Sequence, residues 1–121
     1  MNHEKYVALA IKEAEKAVKK GDSPFGAVIV KDDKVITSAH SRVAQDFDLA
    51  AHAELSVIRK ACAKLKTFDL SDCTLYSSGE PCLMCVGAIS WVKISKVYFS
   101  TYNADARAIG FSEPEAIPAI E

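Results

Sequence analysis

Two short motifs constrain the fold of this 121-residue chain, because each stands at the start of a predicted helix and carries metal-binding side chains. His52 and Glu54 open one helix, and Cys82 and Cys85 open another directly behind Pro81. Residues three apart on a helix lie near one another, so the two cysteines can bind one metal ion. They cannot complete a tetrahedral site alone, and the fold must therefore bring the two helix N-termini together.

The pattern of apolar residues predicts an alternation of helices and strands in the order α-β-β-α-β-α-β. This order is typical of an α/β fold with three layers, α-β-α, in which an antiparallel hairpin and parallel crossovers share one mixed sheet. No repeat, low-complexity tract or linker interrupts it, so residues 1–121 are predicted to form one domain with a loop over residues 42–50. The predicted helices cover residues 4–20, 52–65, 82–91 and 103–109, and the predicted strands cover residues 23–30, 34–40, 73–78 and 93–101.

The composition is that of a globular domain, with 50% hydrophobic residues and a formal net charge of −1. This charge argues against a nucleic-acid partner, because phosphate contacts need a basic surface. No apolar run approaches the roughly 20 residues that span a bilayer, and the N-terminus lacks a signal peptide. We therefore expect a cytoplasmic, reducing location without a membrane partner. There, Cys62 and Cys73 are predicted to be buried thiols rather than halves of a disulfide.

One histidine and two thiolates make three ligands, and zinc with three protein ligands keeps a fourth position for water. Such a metal lowers the pKa of that water, and Glu54 beside it would act as the proton shuttle. The dipoles of the two helix N-termini also favour thiolates. A redox Cys-x-x-Cys pair would not explain His52 and Glu54. A closed structural site with His40 as the fourth ligand is the other alternative.

The sequence "HAE" followed by "EPCLMC" resembles the H-x-E…P-C-x-x-C signature of the zinc-dependent cytidine/deoxycytidylate deaminase superfamily. The segments "PFGAVIV" and "GAISW" fit the same resemblance, which runs from about Ser23 to Phe111. It implies the cytidine deaminase-like fold, Zn²⁺ on His52, Cys82 and Cys85, and Glu54 as the catalytic residue. Within the superfamily, "RKACAKL", "GAISW" and "DARAIGF" look most like bacterial guanine deaminases, which implies guanine as the substrate.

The resemblance also implies a set of substrate contacts. Phe25 and Trp91 are expected beside the base, although packing in the core is the alternative for both. Ser41 stands where the family usually has an asparagine that hydrogen-bonds the base, and it offers one hydroxyl where asparagine offers a carbonyl and an amide. The implied substrate-binding residues are Phe25, Ser41, Ala53, Trp91 and Glu113.

Several alternatives stay open at this point. The substrate of the same chemistry could be cytosine, a nucleoside or a transfer RNA adenosine, and a non-catalytic zinc-stabilised binding module is the rival outside enzymes. Family members usually continue into a final strand and one or two helices, and in guanine deaminases this segment is exchanged between subunits. By that resemblance we expect this C-terminal segment to be missing after about residue 121, and we expect a homodimer.

Overall fold

The computed structural model describes residues 2–101, so the predicted helix over residues 103–109 and the predicted contact Glu113 lie outside the described residues. Within that range the predicted elements are present, and one short helix is added in the segment predicted as a loop. No helix among the described residues is both long and apolar enough to cross a membrane. The elements are α1 (His3–Lys19), β1 (Gly26–Lys31), β2 (Lys34–His40), α2 (Val43–Asp46), α3 (Ala53–Leu65), β3 (Thr74–Gly79), α4 (Leu83–Trp91) and β4 (Lys96–Thr101).

The four strands form one mixed sheet in the order β2-β1-β3-β4. Strand β1 is antiparallel to both β2 and β3, whereas β3 and β4 are parallel. Asp32 and Asp33 join β1 to β2 with φ angles of 51° and 58°, the geometry of a tight two-residue hairpin turn. Because β2 and β3 are both antiparallel to β1, they run in the same direction, and the predicted hairpin and parallel crossovers are confirmed.

Helices cover both faces of this sheet, as the three-layer prediction requires. Strand β1 is buried on both sides, which explains its continuous apolar sequence. Its Ala27 and Ile29 pack with α3 and α4, while Val28 and Val30 pack with α1 on the opposite face. The predicted burial of Cys73 is confirmed at 2% exposure, whereas Cys62 is only half-buried beside the same core.

Strand β2 lies at the edge of the sheet that residues 2–101 form, so its outward carbonyls have no neighbouring strand within that range. Lys60 Nζ donates to the Ser38 carbonyl at 3.0 Å, and Lys64 Nζ donates to the Ile36 carbonyl at 2.7 Å. Both lysines come from α3, one helical turn apart. Charged side chains on an edge strand are a known protection against pairing with another chain.

Gly26 lets α1 approach β1 more closely than any side chain would allow. A Cβ added there would lie 2.5 Å from the Ala14 backbone nitrogen and closer still to the Ala10 carbonyl oxygen. We expect Gly26→Ala to lower the free energy of unfolding by about 1–3 kcal/mol or more, since α1 would have to move. Urea unfolding of the variant measures this loss.

Gly87 provides the matched control, because a Cβ added there meets no atom within 4 Å. It lies inside α4, so Gly87→Ala is expected to be neutral or to stabilise by up to about 1 kcal/mol. Equal unfolding free energies for the two variants would mean that the backbone of α1 does not pack closely against β1 at Gly26.

Candidate active site

The start of β1 and the ends of β2 and β3 lie together at one end of the sheet. Gly26 at the start of β1 pairs with His40 at the end of β2, and the neighbouring Ala27 pairs with Ser77 near the end of β3. The Gly26 amide also donates to the Ser78 hydroxyl at 2.9 Å. The chain leaves β2 at this end of the sheet before it enters α3, and it leaves β3 here before it enters α4.

His52 and Cys82 are the N-cap residues of α3 and α4, so each helix begins one residue later than the sequence predicted. Both have extended backbone, with ψ of 152° and 173°. Their carbonyls accept the first helical hydrogen bonds, from Ser56 and Val86, at 2.9 Å each. The two predicted motifs therefore stand at adjoining helix N-termini, as the metal-site prediction requires.

Three candidate ligand atoms converge between these helix ends. His52 Nδ1 lies 3.5 Å from the Sγ of Cys82 and 3.5 Å from the Sγ of Cys85, and the two sulfurs are 3.6 Å apart. With zinc bonds of about 2.3 Å to sulfur and about 2.0 Å to nitrogen at tetrahedral angles, nitrogen and sulfur lie about 3.5 Å apart and two sulfurs lie about 3.8 Å apart. The donor set and its spacing fit zinc.

His40, the fourth ligand of the closed-site alternative, lies outside this group. Its Nδ1 is 2.9 Å from the Ser41 carbonyl oxygen, and its Nε2 is 3.2 Å from Lys20 Nζ. Within residues 2–101, three side chains rather than four gather around one point. This arrangement leaves one position of a tetrahedral ion open, which is typical of a catalytic site.

The two thiols differ sharply in acidity. The pKa of Cys82 is lowered to about 4, because the Cys85 thiol and His52 hydrogen-bond to its sulfur. The pKa of Cys85 is raised, first by its hydrogen bond with Cys82 and second by burial. Zinc binds thiolates, so zinc binding at this group would release the Cys85 proton.

Glu54 is the buried carboxyl of this site, at 5% exposure in the first turn of α3. Its side chain forms a hydrogen bond with Cys85, so it lies directly against the ligand group. Burial raises the pKa of Glu54 to about 7. A carboxyl with that pKa can both accept and return a proton near neutral pH.

Three of the implied substrate contacts lie at this end of the sheet or at the start of α3: Phe25, Ser41 and Ala53. Phe25 is half-buried, and its carbonyl accepts a hydrogen bond of 2.9 Å from the Ser41 amide. Ala53 is fully buried as the first residue of α3. The Ser41 hydroxyl is also buried and donates to Asp22 Oδ1 at 2.9 Å, so its bond within the protein is to a carboxylate.

Trp91 stands at the opposite end of α4 from the candidate ligands. It ends α4 nine residues after Cys82, which is about 13 Å along a helix axis. Its side chain is 86% exposed, so the alternative of core packing does not describe it either. Within one chain, the structure does not bring Trp91 to the three candidate ligands.

Asp22 is a buried residue that sequence reasoning missed. It is 8% exposed, and its carboxylate accepts hydrogen bonds from the Ser23 amide, the Ser41 hydroxyl and both the amide and side chain of Gln45. Burial alone would raise its pKa, but these hydrogen bonds hold the pKa of Asp22 far below its usual value. An acid before a turn gives no signal of burial, because such residues are usually solvated.

Comparison with known proteins supports the metal-site interpretation. The profile of the cytidine and deoxycytidylate deaminase zinc-binding region matches residues 1–101. A guanine deaminase of Bacillus subtilis (strain 168) is 44% identical over 114 residues, 93% of this chain and 73% of that protein. A tRNA-specific adenosine deaminase of Aquifex aeolicus (strain VF5) is 43% identical over 103 residues, 85% of this chain and 68% of that protein. The crystal structure of guanine deaminase from Bacillus subtilis superposes with a TM-score of 0.88 at 45% identity, over 92% of this chain and 71% of that one.

Proposed function

Because this chain belongs to the cytidine and deoxycytidylate deaminase family and is a hydrolytic deaminase, we propose that its substrate is guanine, converted to xanthine and ammonia. The observation that carries the proposal is a buried carboxyl, Glu54, in contact with Cys85 of a three-ligand group. A purely structural metal site needs no such carboxyl. The similarity to a guanine deaminase supports guanine among the possible bases.

The ligand group would hold zinc through His52, Cys82 and Cys85. Zinc in such a site supplies a Lewis acid with one open position, where water becomes more acidic. The chain contributes the geometry, because two helix N-termini direct their ligands at one point. The same helix ends also stabilise the negative charge of the two thiolates.

Glu54 carries the proton transfers in this proposal. Hydrolytic deamination adds water to the amine-bearing carbon, protonates a ring nitrogen and expels ammonia. One proton must therefore pass from water to the ring, and another must reach the departing amine. With its pKa raised to about 7, Glu54 can take each proton and release it again.

Phe25 is proposed as an apolar wall for the base. It is half-buried at the end of the sheet near which α3 and α4 begin, and its carbonyl accepts a hydrogen bond from the Ser41 amide. Flat aromatic bases stack on such side chains. Ser41 and Ala53 are proposed to contact the base beside Phe25. Ser41 would use the hydrogen-bonding capacity of its hydroxyl that the bond to Asp22 leaves unused.

We propose that two chains associate through α4. Leu83, Val86 and Trp91 on this helix are exposed by 60%, 48% and 86%, respectively. Contiguous exposed apolar side chains commonly mark a protein interface. Such an interface would also cover Trp91, which residues 2–101 of its own chain leave exposed. The four free cysteines of the described residues support the proposed reducing, cytoplasmic location.

Ammonia release by the zinc-loaded protein tests the substrate. Guanine, guanosine, cytosine, adenine and a transfer RNA anticodon stem-loop are offered at equal concentrations. Release from guanine alone is the expected result. Release from the stem-loop instead would favour the second candidate, which the similarity to tRNA-specific adenosine deaminases supports. No release from any substrate, with zinc shown to be bound, would overturn the proposal of an enzyme acting on these bases.

A further inference from the structure

A cavity of about 360 Å³ lies beside the edge strand β2, between α1 and α3; we call it the edge cavity. Its volume is in the range of small-molecule sites, and most of the residues that line it are polar or basic. Glu13 is the one acid among the residues that line it. Its basic side chains are Lys16, Lys20, His40, Arg42 and Lys60.

Two of these positive charges have no acidic partner among the residues that the structure describes. Lys16 forms an ion pair with Glu13 at 2.9 Å, and Arg42 forms one with Asp46 outside the cavity lining at 2.9 Å. Lys20 and Lys60 form no ion pair with any of the residues 2–101. The edge cavity therefore carries excess positive charge in a chain whose net charge is −1.

Neutral groups hold these two lysines in place. A carbonyl oxygen only accepts, so His40 Nδ1–H must donate to the Ser41 carbonyl, and His40 Nε2 accepts from Lys20 Nζ at 3.2 Å. Lys60 Nζ donates to the Ser38 carbonyl at 3.0 Å. Each ammonium has three N–H donors and uses one in these bonds, so donors are left for a ligand.

We propose that the edge cavity binds a phosphate group, either as inorganic phosphate or as a phosphate ester. At pH 7 a phosphate ester carries a charge of about −2 and three strong acceptor oxygens. This matches the two ammonium groups without ion pairs and the hydroxyl of Ser56, which also lines the cavity. A neutral or cationic ligand would leave these charges uncompensated.

The edge cavity is separate from the candidate active site but adjoins it. The Ser56 amide donates to the His52 carbonyl, and the Arg42 amide donates to the Ala51 carbonyl, each at 2.9 Å. Guanine carries no phosphate, so the proposed deamination does not account for this cavity. The inference stands independently of which base is deaminated.

Isothermal titration calorimetry of the zinc-loaded protein tests the proposal. Inorganic phosphate and ribose 5-phosphate are titrated at constant ionic strength into the wild type and into Lys20→Gln/Lys60→Gln. The matched control is Lys12→Gln/Arg59→Gln, which removes two charges from α1 and α3 outside the cavity lining. We expect phosphate affinity to fall by about tenfold or more in the first variant and to change less than about twofold in the control.

The outcomes separate the sources of the ligand. Equal binding of both ligands would identify the phosphate itself as the recognised group, and tighter binding of ribose 5-phosphate would identify an ester. Lys60→Gln also uncovers an edge carbonyl, so Lys20→Gln alone is included, with an expected loss of about fivefold. No binding of either ligand by the wild type at about 10 mM, or equal losses in the two double variants, would overturn the proposal.

Discussion

Glu54→Gln is expected to reduce ammonia release by at least about a hundredfold, and by up to about ten-thousandfold, while zinc stays bound. Glutamine has nearly the same shape but can neither accept nor return a proton. The wild-type carboxyl lies against Cys85 at 5% exposure, where bulk water cannot easily replace it. The measurement is kcat for ammonia release, together with the zinc content of each preparation.

Glu15→Gln is the matched control, because Glu15 is an exposed acid on α1 away from the ligand group. Its activity and zinc content are expected to equal those of the wild type. If Glu54→Gln retained most of the activity, the assignment of Glu54 as the proton shuttle would be wrong. If it lost zinc as well as activity, Glu54 would be needed for the metal site itself.

Cys85→Ala is expected to weaken zinc binding by more than about a hundredfold and to abolish activity with it. Loss of a group that only supports a ligand already costs metal sites about 10–100-fold, and Cys85 is proposed as a ligand. Its Sγ lies 3.5 Å from His52 Nδ1 and 3.6 Å from the Sγ of Cys82, and no solvent reaches it. Competition for zinc with a coloured chelator measures the affinity.

Cys62→Ala controls for the general effect of removing a thiol. Cys62 is half-buried on α3 and does not belong to the three-ligand group. This variant is expected to bind zinc with unchanged affinity. Retention of zinc by Cys85→Ala, or its loss from Cys62→Ala, would contradict the proposed ligand set.

The sequence predicted most of the fold because apolar periodicity reports which faces of each element are buried. It placed the helix starts at His52 and Cys82, and the structure shows both as N-caps with extended backbone. Apolar periodicity does not distinguish an N-cap from the first helical residue. The N-cap carbonyl already accepts a helical hydrogen bond, although its φ and ψ are not helical. The short helix Val43–Asp46 was missed because it contains no buried residue and so has no apolar stripe.

The candidate ligands were predictable because their spacing reflects local geometry at two helix ends. The partner of Ser41 was not, because Asp22 lies nineteen residues earlier and meets it only in the folded chain. The edge cavity likewise brings together Lys20, which follows α1, His40 of β2 and Lys60 of α3. Such contacts depend on how α1 and α3 pack on β2, which no local pattern encodes.

The two α3 lysines that bond to carbonyls of β2 also bear on how copies of this chain can assemble. Ile36 and Ser38 are two residues apart, and their carbonyls point outward to Lys64 and Lys60. A second sheet joining here would have to displace two ammonium groups and leave charged side chains facing its backbone. Growth of a continuous sheet across this edge is therefore disfavoured, and assembly through β2 would have to proceed by side-chain contacts rather than by strand addition.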